Sequence, residues 1–231
     1  MKIIAANFKM NGNREFIESW FKSFSSNTTN QVIVGIPNIY LELAIKNSSN
    51  TNIKIAGQNV SEFSEAGAFT GQVSAEMLDD IGIEFCIIGH SEAREYLKEE
   101  DSDIFKKYNA LKNKEITSIV CIGEPLAVRE SSEHLEFISN QLSEFTAIDD
   151  EIIFAYEPIW AIGTGLVPSK QQIEEMSDHI KSLFKQSIKV LYGGSVNSKN
   201  ASEILSMKNI DGVLVGGASL NAEEFANIAQ S

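Results

Sequence analysis

The sequence predicts an α/β fold, a (β/α)8 barrel built as one domain over residues 1–231. Three observations carry that expectation. Eight short runs are nearly continuous in apolar or small residues, the pattern of parallel strands buried on both faces. Amphipathic stretches of helical length separate most of them. The segment after the first run, Asn7-Phe8-Lys9-Met10-Asn11-Gly12, is not the glycine fingerprint of an open nucleotide-binding sheet. There is also no Pro/Ser-rich linker and no repeat at a solenoid period.

The runs follow in order. Residues 3–7 form the first strand, and the short apolar start before Lys9 is too brief for a signal peptide. The helical stretch 14–24 leads through polar residues 25–30 to a strand at 32–36. The polar connection 47–52 precedes the strand at 53–57. Both connections are expected on the face of the barrel that serves stability. Strands at 85–89, 118–122, 152–156, 188–192 and 212–216 complete the set. Helical stretches at 101–112, 133–145, 170–184, 199–207 and 222–229 lie between or after them.

Bulk properties narrow the function. The formal charge of −13, from 19 basic and 32 acidic residues, argues against a nucleic-acid partner. A small anionic substrate fits the chain if a lysine, backbone N–H groups or a helix N-terminus supply a local positive spot. No apolar run approaches the roughly 20 residues of a membrane span. Cys86 and Cys121 sit inside apolar runs, which suits packed thiols in a reduced, cytoplasmic protein. The three histidines lack ligand spacing, so no metal site is expected.

In a barrel of this kind the chemistry collects at the C-terminal ends of the strands. The stretch Ala155 to Gly165 places a carboxylate, Glu157, where an apolar strand runs out. Pro158 ends regular pairing there. An acidic strand end leading into an ordinary loop is one reading. Trp160 and Gly163-Thr164-Gly165 favour another, a base beneath a lid over 158–165. Asn7 and Lys9 are two residues apart and point the same way from an extended backbone. Lys9 is either a rim charge or the cation for an anionic substrate. His90 follows an apolar strand and is either structural or, on the same rim, a candidate electrophile. Ser91 is expected to cap a helix opening with Glu92 and Arg94. Double glycines at 193–194 and 216–217, each near a serine, fit a phosphate cradle, because their backbone N–H groups can approach a ligand closely. One base, one histidine, one lysine, an orienting amide and that cradle can move a proton on carbon next to a carbonyl without a cofactor.

These segments also resemble a known family. The motifs are residues 7–12, Gly57-Gln58-Asn59-Val60, Gly67-Ala68-Phe69-Thr70-Gly71, 88–92, Cys121-Ile122-Gly123-Glu124, 156–165, 191–196 and 215–220. In that order, over almost the whole chain, they resemble the triosephosphate isomerases. The resemblance implies a TIM barrel that interconverts dihydroxyacetone phosphate and D-glyceraldehyde 3-phosphate through an enediolate. It implies a place in glycolysis and gluconeogenesis, in the cytoplasm, as a homodimer without a cofactor. It implies Glu157 as the base, His90 as the neutral electrophile and Lys9 as the cation, with Asn7 hydrogen-bonding the phosphorylated triose. Glu92 would order the site. Gly163, Ser195, Gly216 and Gly217 would give the phosphate its donors. Ile162 and Leu214 would close over the glutamate, and Thr70 would approach the partner subunit's site.

The chain departs from the family in four ways. It is short against the roughly 250 residues usual for this barrel, with abbreviated connections before strands two and seven. Phe8 replaces a tryptophan, Ala93 an arginine and Leu166 a lysine. Two rivals share parts of the pattern. Another phosphate-binding barrel has no reason to combine Asn7, Lys9, His90 and Glu157. A non-catalytic phosphosugar-binding or adhesion barrel would be free to lose Glu157.

Overall fold

The computed structural model describes residues 1–162 and 166–231. Eight strands close into a barrel in sequence order: β1 (Ile3–Asn7), β2 (Gln31–Gly35), β3 (Ile53–Gly57), β4 (Phe85–Ile88), β5 (Thr117–Ile122), β6 (Ile153–Tyr156), β7 (Lys189–Tyr192) and β8 (Gly212–Val215). All neighbours are parallel, and β8 returns to pair with β1. This is a (β/α)8 TIM barrel, as the eight apolar runs predict. Strand ends differ from those expectations by one residue at most.

Ten α-helices are found among the described residues. They are α1 (Arg14–Ser23), α2 (Leu41–Ser48), α3 (Ala75–Asp80), α4 (Ser91–Tyr96), α5 (Asp101–Lys112), α6 (Leu126–Glu130), α7 (His134–Gln141), α8 (Lys170–Ser182), α9 (Ala201–Leu205) and α10 (Ala222–Ala229). None is long and apolar enough to cross a membrane. Helix α1 shows why these stretches fold as they do. The Asn13 side chain accepts from the Phe16 N–H at 2.8 Å, and Ile17, Trp20 and Phe21 form its buried face. The Trp20 indole donates to Ser219 O at 2.9 Å and packs edge-on against Phe8, 5.2 Å between centroids. Phe8 is fully buried there, so it fills an aromatic slot in the core.

Residues alternate along each strand between two apolar layers. Ile3, Ala5, Ile33, Ile87, Ile119, Cys121, Ile153, Ala155, Leu191 and Leu214 belong to the core inside the barrel. Their strand neighbours, such as Ile4, Val34, Ile88, Phe154 and Val213, pack outward under the helices. The inward set 3, 5 continues to Asn7, and the inward set 153, 155 continues to Glu157. Both polar side chains are thereby delivered to the mouth of the barrel.

Gly89 breaks the alternation after β4. Its φ is +66°, and a Cβ there would lie 2.9 Å from Ile104 Cδ1. The left-handed turn starts α4 one residue earlier than the serine preference suggests. His90, not Ser91, is the N-cap, and its ring nitrogen Nδ1 accepts from the Glu92 N–H at 3.2 Å. Arg94 turns back, donating from Nε to Gly89 O at 2.8 Å and from Nη2 to Cys121 O at 3.2 Å. Gly89→Ala is expected to lower unfolding free energy by about 1–3 kcal/mol, from backbone strain and the clash with Ile104. A urea melt followed by circular dichroism checks this.

Candidate active site

The strand ends surround a cavity of about 330 Å³. Asn7, Lys9, His90 and Glu157 line it on one side; Ser195, Gly216 and Gly217 line it on the other. Ile162 and Leu214 add the apolar wall. Nearly all the predicted site residues therefore meet in one place. Gly163 lies outside the described residues. Glu92 does not line this cavity but holds Lys9, with Nζ 2.6 Å from Oε1. Thr70 is exposed in a separate loop and faces no group of this cavity.

Glu157 is 3% exposed, and its surroundings explain how a carboxylate stays there. Its Oε2 accepts from the Ser91 N–H at 3.3 Å, and Oε1 lies 3.1 Å from His90 Nε2. The backbone is held by Glu157 N–H donating to Ile122 O at 2.7 Å. A Cβ on Gly123 would sit 1.7 Å from Glu157 O, and one on Gly193 would sit 2.8 Å from Glu157 Cγ. Those two glycines make room for the base, a role the double-glycine pattern alone does not disclose. Cys121 is a further neighbour, interacting with the Glu157 side chain. Burial, and then the Glu157 carboxylate, push its thiol well above the ordinary value and keep it protonated. Cys86, also buried, is pushed up to about 12 by desolvation. Both thiols are packed, as their apolar runs suggest.

His90 is buried, and burial lowers its basicity. The Glu157 carboxylate outweighs that and raises the imidazole above its ordinary value in the unliganded site. The Glu92 N–H occupies Nδ1, so the ring proton belongs to Nε2, facing Glu157. Asn7 is 5% exposed; its Oδ1 accepts from the Lys9 N–H at 2.9 Å and from Gln58 Nε2 at 3.2 Å. Gln58 also donates to Gly35 O at 3.0 Å, which makes it the brace that fixes the Asn7 amide. Lys9 itself has φ +53°, a left-handed conformation costing about 1 kcal/mol, retained where it turns the ammonium toward the cavity.

On the far wall, the Ser195 hydroxyl donates to Ala161 O at 2.9 Å, joining the β7 loop to the segment after Glu157. Asn200 Nδ2 donates to Ser195 O at 2.9 Å and fixes the loop from behind. Gly217 begins a 3-10 turn, Gly217–Leu220, and a Cβ there would meet none of the described residues within 4 Å. Among the described residues, Gly216 is limited only by Lys9 Cε at 3.4 Å. The described residues thus leave the space over these two glycines open toward the lysine. The arrangement offers a carboxylate base, an N–H donor on imidazole, an ammonium and a neutral, glycine-lined wall around one small cavity. Among the described residues no group of three or more His, Cys, Asp or Glu side chains could hold a metal ion.

Comparison with known proteins agrees with this geometry. The family model described as Triosephosphate isomerase matches residues 2–231. The chain is similar to the triosephosphate isomerase of Francisella tularensis subsp. mediasiatica (strain FSC147), 40% identical over 242 aligned residues, 98% of this chain and 95% of that one. It is also similar to that of Acetivibrio thermocellus, 40% over 247 residues, covering 99% and 98%. The relative from Alkaliphilus oremlandii (strain OhILAs) is 40% identical over 242 residues, covering 98% and 97%. With the barrel, the strand-end residues and these matches spanning the same chain, the protein belongs to the triosephosphate isomerase family.

Proposed function

We infer that this protein is an intramolecular aldose–ketose isomerase that interconverts dihydroxyacetone phosphate and D-glyceraldehyde 3-phosphate. The convergence of Glu157, His90 and Lys9 on one cavity is the observation that supports it. In the resting site His90 Nε2 and Glu157 Oε1 face each other. A substrate oxygen entering between them takes over the Nε2–H and leaves the carboxylate free to address carbon. Glu157 removes the proton from the carbon next to the carbonyl, and the C–H electrons move into an enediolate. Nε2–H and the Lys9 ammonium stabilise the oxygens as charge develops, and His90 moves a proton between them. Glu157 then returns a proton to the neighbouring carbon. Ser195, Gly216 and Gly217, with Gly163, are assigned to the phosphate, and Ile162 and Leu214 to the dry wall over the base. Glu92 keeps Lys9 in place.

A coupled assay tests this reading. Glyceraldehyde 3-phosphate is supplied and dihydroxyacetone phosphate is followed with a reducing dehydrogenase. Turnover is expected; none from folded protein would remove the isomerase reading and leave a binding barrel.

We also assign the chain to one domain, because pairing of β8 with β1 puts both ends of the sequence in one sheet. A homodimer is supported by the surface beside the cavity. Met10, Tyr96 and Leu97 are 96%, 71% and 67% exposed and line a second hollow of about 400 Å³, shared with Lys9 and His90. The loop carrying Thr70 is stiffened by Phe63 stacked on Phe69 at 3.8 Å and suits insertion into that hollow of a second copy. Sedimentation across a concentration series is expected to give twice the 25.5 kDa chain mass. A fully active species of single-chain mass at every concentration contradicts the dimer. The protein is placed in the cytoplasm, which its two buried thiols suit.

A further inference from the structure

Behind the cavity, away from the reacting groups, a row of polar side chains is packed with too few partners. Glu124 is fully buried. Its Oε1 accepts from the Tyr156 hydroxyl at 3.0 Å and from the Trp160 indole at 3.1 Å, both neutral donors. Its Oε2 has no hydrogen-bond partner among the described residues. Arg129 stops short of it, with Nη1 3.9 Å from Glu124 Oε1 and no hydrogen bond of its own. The other arm, Nη2, is held by Glu175 Oε2 at 3.2 Å. That same oxygen lies 3.3 Å from His134 Nε2, out of line for a hydrogen bond, and neither ring nitrogen of His134 has a hydrogen-bond partner among the described residues. Among the described residues, most of the buried side-chain polar atoms lacking such a partner fall on this one row.

A buried carboxylate bonded only to neutral donors carries a large desolvation cost, which a guanidinium in contact offsets. The Glu175 side chain is 47% exposed, so its hold on Arg129 is screened. A short move of Nη1 toward Glu124 is therefore favoured once Glu175 is engaged elsewhere, and His134 is placed to engage it. The consequence reaches the site through Trp160. That indole sits in the 3-10 turn Ile159–Ala161, which leads directly into Ile162 of the cavity wall.

We propose that Arg129 is a positioning residue that sets the place of Trp160, and with it Ile162 over Glu157, by acting through Glu124. Glu175 holds Arg129 back, and His134 competes for the same Glu175 oxygen. Its kinetic consequence rests on the isomerase reading above; the placement of Trp160 does not.

The test combines emission and kinetics. The chain has two tryptophans, and Trp20, on the buried face of α1 beside Phe225, supplies a constant background. Arg129→Met is expected to shift Trp160 emission and to lower kcat about five- to tenfold, with KM changed less than about twofold. Arg129→Lys, which keeps the charge, is expected to recover part of both. Glu175→Gln changes a half-exposed side chain and releases Arg129 to Glu124, so it is expected to shift emission in the opposite direction. If Arg129→Met does not fold, Glu175→Gln decides alone. Emission identical to the parent in every folded variant overturns the proposal, whatever happens to the melting point. Absence of turnover in the parent protein removes the isomerase reading instead, and emission still decides this one.

Discussion

Glu157→Gln is expected to lower kcat by ~10²–10⁴-fold while the protein stays folded. The amide has the shape of the carboxylate it replaces. It therefore keeps the space that Gly123 and Gly193 leave and can still accept from the Ser91 N–H. What is lost is the only function the amide cannot perform, taking a proton from carbon. Because that step belongs to the transition state, competition by inorganic phosphate is expected to change by no more than about twofold. Steady-state kinetics in both directions, with phosphate as competitor, give the split. Full activity in the variant assigns the base elsewhere.

Lys9→Met is expected to reduce kcat/KM by ~10²–10³-fold, with the loss shared between kcat and KM. The methionine keeps the apolar stem but removes the one ammonium that lines the cavity among the described residues. It also leaves Glu92, bonded to Nζ at 2.6 Å in the parent, without its partner beside an anionic ligand. Uncompensated negative charge then opposes both the phosphate and the developing enediolate. A rise in KM for the phosphorylated triose, greatest at low ionic strength, checks this electrostatic account. Unchanged KM and kcat would place Lys9 on the rim as an ordinary surface charge.

Much of the site is legible in the sequence because strands carry their own address. Two-residue alternation, anchored by the inward Ile3 and Ala5 or Ile153 and Ala155, is enough to aim Asn7 and Glu157 into the barrel mouth. The helices are less readable. Helices α2, α3, α4 and α6 do not stand out as amphipathic stretches in the sequence, whereas α9 and α10, no longer than α2, do, so length alone does not decide which helix is legible. The cap of α4 shows how context overrides propensity. Serine is the better N-cap, yet the left-handed turn at Gly89 gives that place to His90 and so fixes its tautomer. Residues that act by touching another element leave no mark in one dimension. Cys121 beside Glu157, Gln58 bracing Asn7 and Gly123 clearing the carbonyl of Glu157 all depend on strand register. Glu124 is visible in the sequence only as part of a motif; its burial beneath Trp160 needs the closed barrel.

The central claim is that Glu157 carries a carbon-bound proton through an enediolate. Isomerisation of dihydroxyacetone phosphate in deuterium oxide, read by proton NMR of the trapped product, addresses it directly. A proton held by a carboxylate exchanges with solvent, so deuterium is expected at C2 of the glyceraldehyde 3-phosphate formed, and Glu157→Gln should form that product ~10²–10⁴-fold more slowly. Glu157→Gln forming product at the parent rate, with the same C2 label as the parent, would mean that Glu157 does not carry the proton, and would contradict the account.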